Sequence, residues 1–205
     1  MTNLITKDLV QDFIDKVPNS KSYFAETELV LEPTYDPPFE HLIRSIIFQQ
    51  LSGKAASTIH KRFLQLFEQL TPVTLLTVED NQLKQAGLSR QKTQYVKNVA
   101  REFIPGGRLT DLTTITGLEE LNNQQIIDLF IPIKGIGEWT VQMYLIFGLG
   151  RLNVMPAKDL GVRKGIRKLY QLDTLPTPSK AKELTRTWQP LATIGSLLCW
   201  RAIAD

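Results

Sequence analysis

Apolar residues recur at helical spacing along almost the whole 205-residue chain, in short runs cut by proline and glycine. A chain patterned this way must bury many short amphipathic stripes against one another, so the expected fold class is all-α. The spacing predicts helices over 4–17, 39–51, 54–70, 79–86, 90–103, 117–121, 124–130, 138–147, 160–170, 179–188 and 191–204. In the second of these, Phe39, Leu42, Ile43, Ile46 and Ile47 share one stripe behind the helix-opening pair Pro37-Pro38. Two β-branched stretches, 27–31 and 109–116, are the strand candidates, and neither alternates cleanly. The linker 32–38 and the loop 150–157 are natural places for the chain to pass between lobes. The expected organisation is two helical lobes flanking a cleft, one of residues 39–150 and one of 1–38 with 151–205.

Composition removes several function classes. The single cysteine, Cys199, excludes an internal disulfide framework, a four-cysteine zinc site and a four-cysteine iron–sulfur cluster. It reads as a small buried apolar residue. The two histidines, His41 and His60, read as structural, and no metal site is expected. No apolar run approaches the ~20 residues that span a bilayer, and the N-terminus lacks the order of a secretory signal. The expected setting is a reducing one, the cytoplasm or nucleoid (the nucleus in a eukaryote), with no membrane partner. Net charge is only +3, but residues 1–130 carry 13 Lys/Arg against 16 Asp/Glu, while residues 131–205 carry 11 against 5. A basic C-terminal third suits a one-sided phosphate-binding surface, and equally a solvated face.

The richest stretch is Ile133-Lys-Gly-Ile-Gly-Glu-Trp-Thr, a tight turn between two helical patterns. Gly135 and Gly137 let another backbone approach closely. The N–H groups of the turn would then face a phosphate without reading sequence. Ile133 and Ile136 would anchor the turn in the core. Alone, this would be an ordinary interhelical turn. About twenty residues later comes Met155-Pro-Ala-Lys-Asp-Leu-Gly-Val-Arg-Lys-Gly.

Together these motifs resemble the helix-hairpin-helix–Gly/Pro/Asp superfamily of base-excision DNA glycosylases. The 3-methyladenine DNA glycosylase II branch is the most similar. Ile47-Phe-Gln-Gln-Leu-Ser-Gly-Lys-Ala-Ala, Trp188-Gln-Pro and Leu198-Cys-Trp-Arg extend the likeness over roughly residues 38–202. The likeness implies a monofunctional glycosylase that flips out cationic alkylated purines, such as 3-methyladenine and 7-methylguanine. It would hydrolyse the N-glycosidic bond and leave an abasic site. A length of 205 residues is expected to leave no room for the extra N-terminal domain of larger relatives.

Residue by residue, the resemblance makes Asp159 the catalytic aspartate, although an aspartate at this position would by itself be read as a helix N-cap. Trp139 stands where bifunctional relatives carry a Schiff-base lysine, and Lys134 is on the other side of the turn. An indole face would stack on an electron-poor alkylated base, with a cation–π gain of roughly 0.5–2 kcal/mol. Trp200 matches a second pocket aromatic. Met143 replaces a family tyrosine, with Tyr144 beside it as a further pocket residue, and Ala192 replaces a family arginine.

Gln50 falls on the wedge that fills the hole left by a flipped base, and Gln49 precedes it. Ser52, Lys54, Lys134, Gly135, Gly137, Thr140 and Arg163 complete the expected DNA contacts. Arg163, Lys164, Arg167 and Lys168 share one basic helix face. No cofactor is expected, although hairpin carbonyls in such folds can hold a monovalent cation. The expected partner is double-stranded DNA containing alkylated bases, bound by a monomer. The alternatives are a bifunctional or mismatch-type glycosylase, disfavoured by Trp139, and a non-catalytic hairpin module that only binds DNA.

Overall fold

The computed structural model describes residues 3–25, 28–51, 53–112 and 114–203. Among them every regular element is helical, and none is long and apolar enough to cross a membrane. The chain divides into two compact units, Met1–Thr34 with Leu145–Asp205, and Tyr35–Tyr144. The crossings thus fall at 34/35 and 144/145, a few residues before the 38 and 150 read from the sequence. The Thr34 amide donates to the Phe147 carbonyl (2.9 Å), which holds both of these segments in the first unit.

The first unit opens with α1 (Lys7–Lys16) and α2 (Lys21–Ala25). Thr6 caps α1 by accepting from the Leu9 amide, so the helix starts three residues after the apolar pattern does. The second unit holds α3 (Pro38–Phe48), α4 (Gly53–Leu64), α5 (Pro72–Thr77), α6 (Asp80–Gln85), α7 (Arg90–Glu102), α8 (Thr116–Glu119), α9 (Asn123–Phe130) and α10 (Glu138–Met143). Its core gathers Leu42, Ile43, Ile46 and Ile47 of α3 with Val96, Val99 and Ala100 of α7, all fully buried. A π-helical turn, Tyr144–Gly148, follows α10. The chain then completes the first unit with α11 (Leu160–Leu169), α12 (Pro178–Leu184) and α13 (Ala192–Ala202).

The helix α13 is buried at every position from Ala192 to Cys199 and forms the centre of its unit. Its close partner is α11, and Gly165 sets the approach. A Cβ on that glycine would lie 2.3 Å from the Cys199 Cβ and 2.4 Å from its Cα. Cys199 is accordingly buried, and burial pushes its thiol pKa up.

Neither expected strand is present among the described residues. Residues 28–31 run extended but bond mainly to one residue: Asn3 donates to the Leu29 carbonyl (3.0 Å) and accepts from the Leu31 amide (2.8 Å). In the second stretch Thr110 closes a local turn, with its hydroxyl 2.8 Å from both the Ile104 and Gly107 carbonyls. β-Branching there serves compact turns, and Thr116 opens α8.

Candidate functional site

In the first unit, the loop before α11 is held by side chains of α13. The Thr193 hydroxyl donates to the Arg151 carbonyl (2.6 Å) and accepts from the Val154 amide (3.0 Å), and Ser196 donates to the Val154 carbonyl (3.0 Å). This delivers Asp159 to the N-cap of α11 with unstrained backbone (φ −66°, ψ 127°). Its Oδ1 accepts from the Val162 amide at 2.8 Å and from the Trp200 indole Nε1 at 2.9 Å. Capping therefore occurs, and an aromatic N–H from a second helix fixes the plane of the same carboxylate.

Gly161 makes room for this: a Cβ there would lie 2.8 Å from Trp200 Cδ1. The Trp200 ring is half-buried and lies 5.8 Å from the Phe147 ring at 30°. Phe147 (38% exposed) and Leu160 (52% exposed) leave apolar surface in the same unit. Phe147 was not singled out by the sequence, where it reads as one more apolar residue on a helix stripe.

The basic face of α11 is partly consumed within the unit. Arg163, expected on DNA, donates through Nε to the Pro176 carbonyl (2.7 Å), and Lys168 donates to the Ala202 carbonyl (2.7 Å). The loop after α11 and the end of α13 each bring a carbonyl to that face, which helical periodicity could not reveal. Lys164 and Arg167 remain exposed.

In the second unit, α9 and α10 with the turn between them form the hairpin. Ile133 and Ile136 are buried as its anchors. Gly135 takes φ +110°, and a Cβ there would lie 2.4 Å from Tyr95 Cγ. Glycine is required twice over at this position. Gly137, the N-cap of α10, has open space where a Cβ would project. Trp139 is 45% exposed, which suits an indole offered to a ligand, and Lys134 is exposed too.

Three of the expected contact residues make contacts within the unit. Thr140 is buried, with its hydroxyl 3.5 Å from Gln49 Nε2. Gln49 is half-buried and donates that amide to the Gly135 carbonyl (3.2 Å), so it braces the hairpin. Tyr144 is wholly buried, donates to the Asp36 carbonyl (3.2 Å) and lies 4.4 Å from the His41 ring. Tyr144 lies four and three residues beyond the buried Thr140 and Val141, so ordinary helical spacing turns it into the core, whereas Met143 stays half-buried. Gln50 is exposed just past the end of α3 and takes φ +57°, a conformation that costs a non-glycine residue about 1–2 kcal/mol. Lys54 is exposed in the first turn of α4, and Ser52 lies outside the described residues. No group of three or more His, Cys, Asp or Glu side chains able to hold a metal occurs among the described residues.

The sequence marks α7 as a helix but not its part in holding both loops. Its Lys92, Tyr95 and Asn98 touch, respectively, the end of α3, Gly135 and the Lys134 carbonyl. These partners lie 36 to 45 residues away in the chain, and no local pattern signals them.

Comparison with known proteins places this architecture. The DNA-3-methyladenine glycosylase 1 of Schizosaccharomyces pombe is 35% identical over 167 residues, which is 80% of this chain and 72% of the relative. A crystal structure of DNA-3-methyladenine glycosidase from Bacillus halodurans superposes with a TM-score of 0.83 at 32% identity, covering 100% of this chain and 92% of the other. The 3-methyladenine DNA glycosylase Mag1 of S. pombe, in complex with abasic DNA, gives 0.81 at 30% identity, covering 95% and 98%. Residues 43–190 match the family model of HhH-GPD superfamily base excision DNA repair proteins. The chain therefore belongs to the HhH-GPD superfamily of base excision DNA repair proteins.

Proposed function

We propose that this protein is a monofunctional DNA glycosylase that binds duplex DNA as a monomer and hydrolyses the N-glycosidic bond of alkylated purines. The names and DNA complex of its relatives support this reading. The observation that carries it is the Asp159 carboxylate, oriented on one oxygen by the Val162 amide and the Trp200 indole. Breaking the bond to the base builds positive charge on the sugar, and a fixed carboxylate stabilises that charge as it develops. The purine departs with the bonding electrons, water adds at C1′ and gives up a proton to the Asp159 carboxylate or the surrounding water, and an abasic site remains. A base alkylated on a ring nitrogen is already cationic and leaves as a neutral molecule, so modest assistance is enough.

Each remaining part has one task. The exposed Trp139 indole offers a π-face to a cationic base. With an indole and no amine at this position, no Schiff base forms there and the strand stays intact. Gln50, exposed at the end of α3, acts as the wedge. Gly137 leaves its face of the hairpin clear for a phosphodiester backbone.

The test is incubation with methylated duplex DNA. Free base should be released, with nicking only after hot alkali. Asp159→Asn should slow release by about a thousandfold while lesion-DNA affinity holds. Direct nicking would point to a bifunctional enzyme, and no release from any lesion to a DNA-binding module. A parallel loss of affinity in Asp159→Asn would reduce Asp159 to a helix cap.

A further inference from the structure

The exposed turn at Gln50 needs something to hold it. Its backbone lies in the left-handed region at φ +57°, and it follows directly on α3, whose last carbonyls have no partners within the helix. Left-handed backbone at a non-glycine residue persists only where surroundings enforce it. The enforcing group is an ammonium from α7. Lys92 Nζ donates to the Ile47 carbonyl and to the Gln49 carbonyl, each at 2.7 Å. A cation at this position also opposes the partial negative charge of the α3 C-terminus. Partial burial holds its pKa below that of an ordinary lysine.

The same helix holds the hairpin. Tyr95, three residues along α7, packs under Gly135, and Asn98, three further, donates to the Lys134 carbonyl at 3.4 Å. Gln49 closes the loop of contacts by donating to the Gly135 carbonyl. The Gln50 turn and the hairpin turn are therefore fastened to each other and to one face of α7.

We infer that Lys92 is a positioning residue for strand opening: it locks the end of α3 so that Gln50 is aimed as a wedge in register with the hairpin. This rests on the reading of Gln50 as the wedge. Lys92 faces protein carbonyls, and the role assigned to it needs no contact with DNA. Its loss should matter where a paired base has to be displaced and the opposite base left behind, and little where there is no opposite base.

The experiment compares single-turnover release of one alkylated purine from two duplexes, the lesion facing either a normal base or an abasic site. The readout is the ratio of the two rates. Lys92→Met should lower that ratio about tenfold, and Lys92→Arg, which keeps two donors for the two carbonyls, should restore most of it. Gln50→Ala should lower the ratio as well. In the double variant the losses should fail to add, because an unaimed wedge and an absent one are equivalent. The slope of affinity against salt should stay at the wild-type value in Lys92→Met.

Equal losses on both duplexes, tracking a lower melting temperature, would make Lys92 a stability residue only. A salt slope lower by about one would make it a phosphate contact. Either result overturns the inference, as does a normal ratio in Lys92→Met when Gln50→Ala is defective. A normal ratio in Gln50→Ala would instead remove the wedge reading, and the role assigned to Lys92 with it.

Discussion

Asp159 and Gln50 each sit at the end of a helix, and the protein secures them by opposite means. Asp159 precedes α11 in relaxed backbone, with its oxygen held by that helix's own amide and by an indole of α13. Its position follows from the packing of two helices whose axes are drawn together at Gly165. Gln50 follows α3 in strained backbone, and its neighbours are held by polar tethers from α7 and the hairpin. Core packing is costly to disturb and gives an all-or-none placement. Polar tethers are weaker one by one, and each can be removed without dismantling the core. A group that must meet a reacting atom gains from the first arrangement, and a group that must press into a yielding base stack can work with the second.

The largest effect should come from breaking the packing side of this contrast. Gly165→Ala would place a methyl against the backbone of Cys199, with the nearest atoms at 2.3–2.6 Å. The two helices must then separate, at a cost of about 3 kcal/mol or more. The denaturation midpoint and the excision rate should fall together, because the Asp159–Trp200 bond spans the same two helices. Full activity at wild-type stability would show that Asp159 is not placed by this packing.

The helix leading to Gln50 can be loosened by acid. His41 of α3 is buried, its Nδ1 has no hydrogen-bond partner, and the Asp36 carboxylate is 3.9 Å away. Burial, more than the opposing pull of Asp36, lowers its pKa from 6.5 to about 4. A histidine kept neutral in the fold but protonated when unfolded contributes stability above pH 6.5, which drains away as pH falls toward 4. The interval corresponds to at most about 3 kcal/mol. Unfolding free energies of the wild type and His41→Phe, measured from pH 7.5 to 4.5, should differ progressively across that window. A constant difference would mean that His41 does not titrate as its burial requires.

A smaller effect should isolate the hairpin. Asn is a good N-cap, so Gly137→Asn should leave stability within about 0.5 kcal/mol of wild type. Its side chain would project into space that holds no protein atom within 4 Å. Duplex affinity should fall severalfold for damaged and undamaged DNA alike, as read by fluorescence anisotropy. A loss confined to one lesion would contradict a clamp on the backbone.

The helical class and the chemical residues were legible because both are written locally. Apolar periodicity marks α3 and α7, and the hairpin, Asp159 and Trp139 sit in contiguous motifs. The capping box of α5, Thr71 with Thr74, was also readable but carries no apolar stripe long enough to stand out. Other features were not local. The α3 pattern continues to residue 51, yet the helix stops at Phe48, where the Ile47 and Gln49 carbonyls turn to a lysine more than forty residues away. Tyr144 reads as a pocket residue because it stands beside Met143, where the family has a tyrosine, yet it faces the core and donates to the Asp36 carbonyl, 108 residues earlier in the chain. Arg163 looks free on a basic face until a loop carbonyl arrives from Pro176.

The smallest predicted change is the most diagnostic for the Gln50 turn. Glycine adopts φ +57° without the clash that a Cβ meets, so Gln50→Gly should stabilise the protein by about 0.5–1 kcal/mol despite the added freedom of its unfolded chain. The same variant has no side chain to fill the space of a flipped base, so release of a paired lesion should slow. Stability up and excision down is the signature of strain kept for function. A variant both less stable and slower would mean that the Gln50 side chain supports the fold. One that is more stable and equally fast would mean that the strain at φ +57° serves nothing in catalysis.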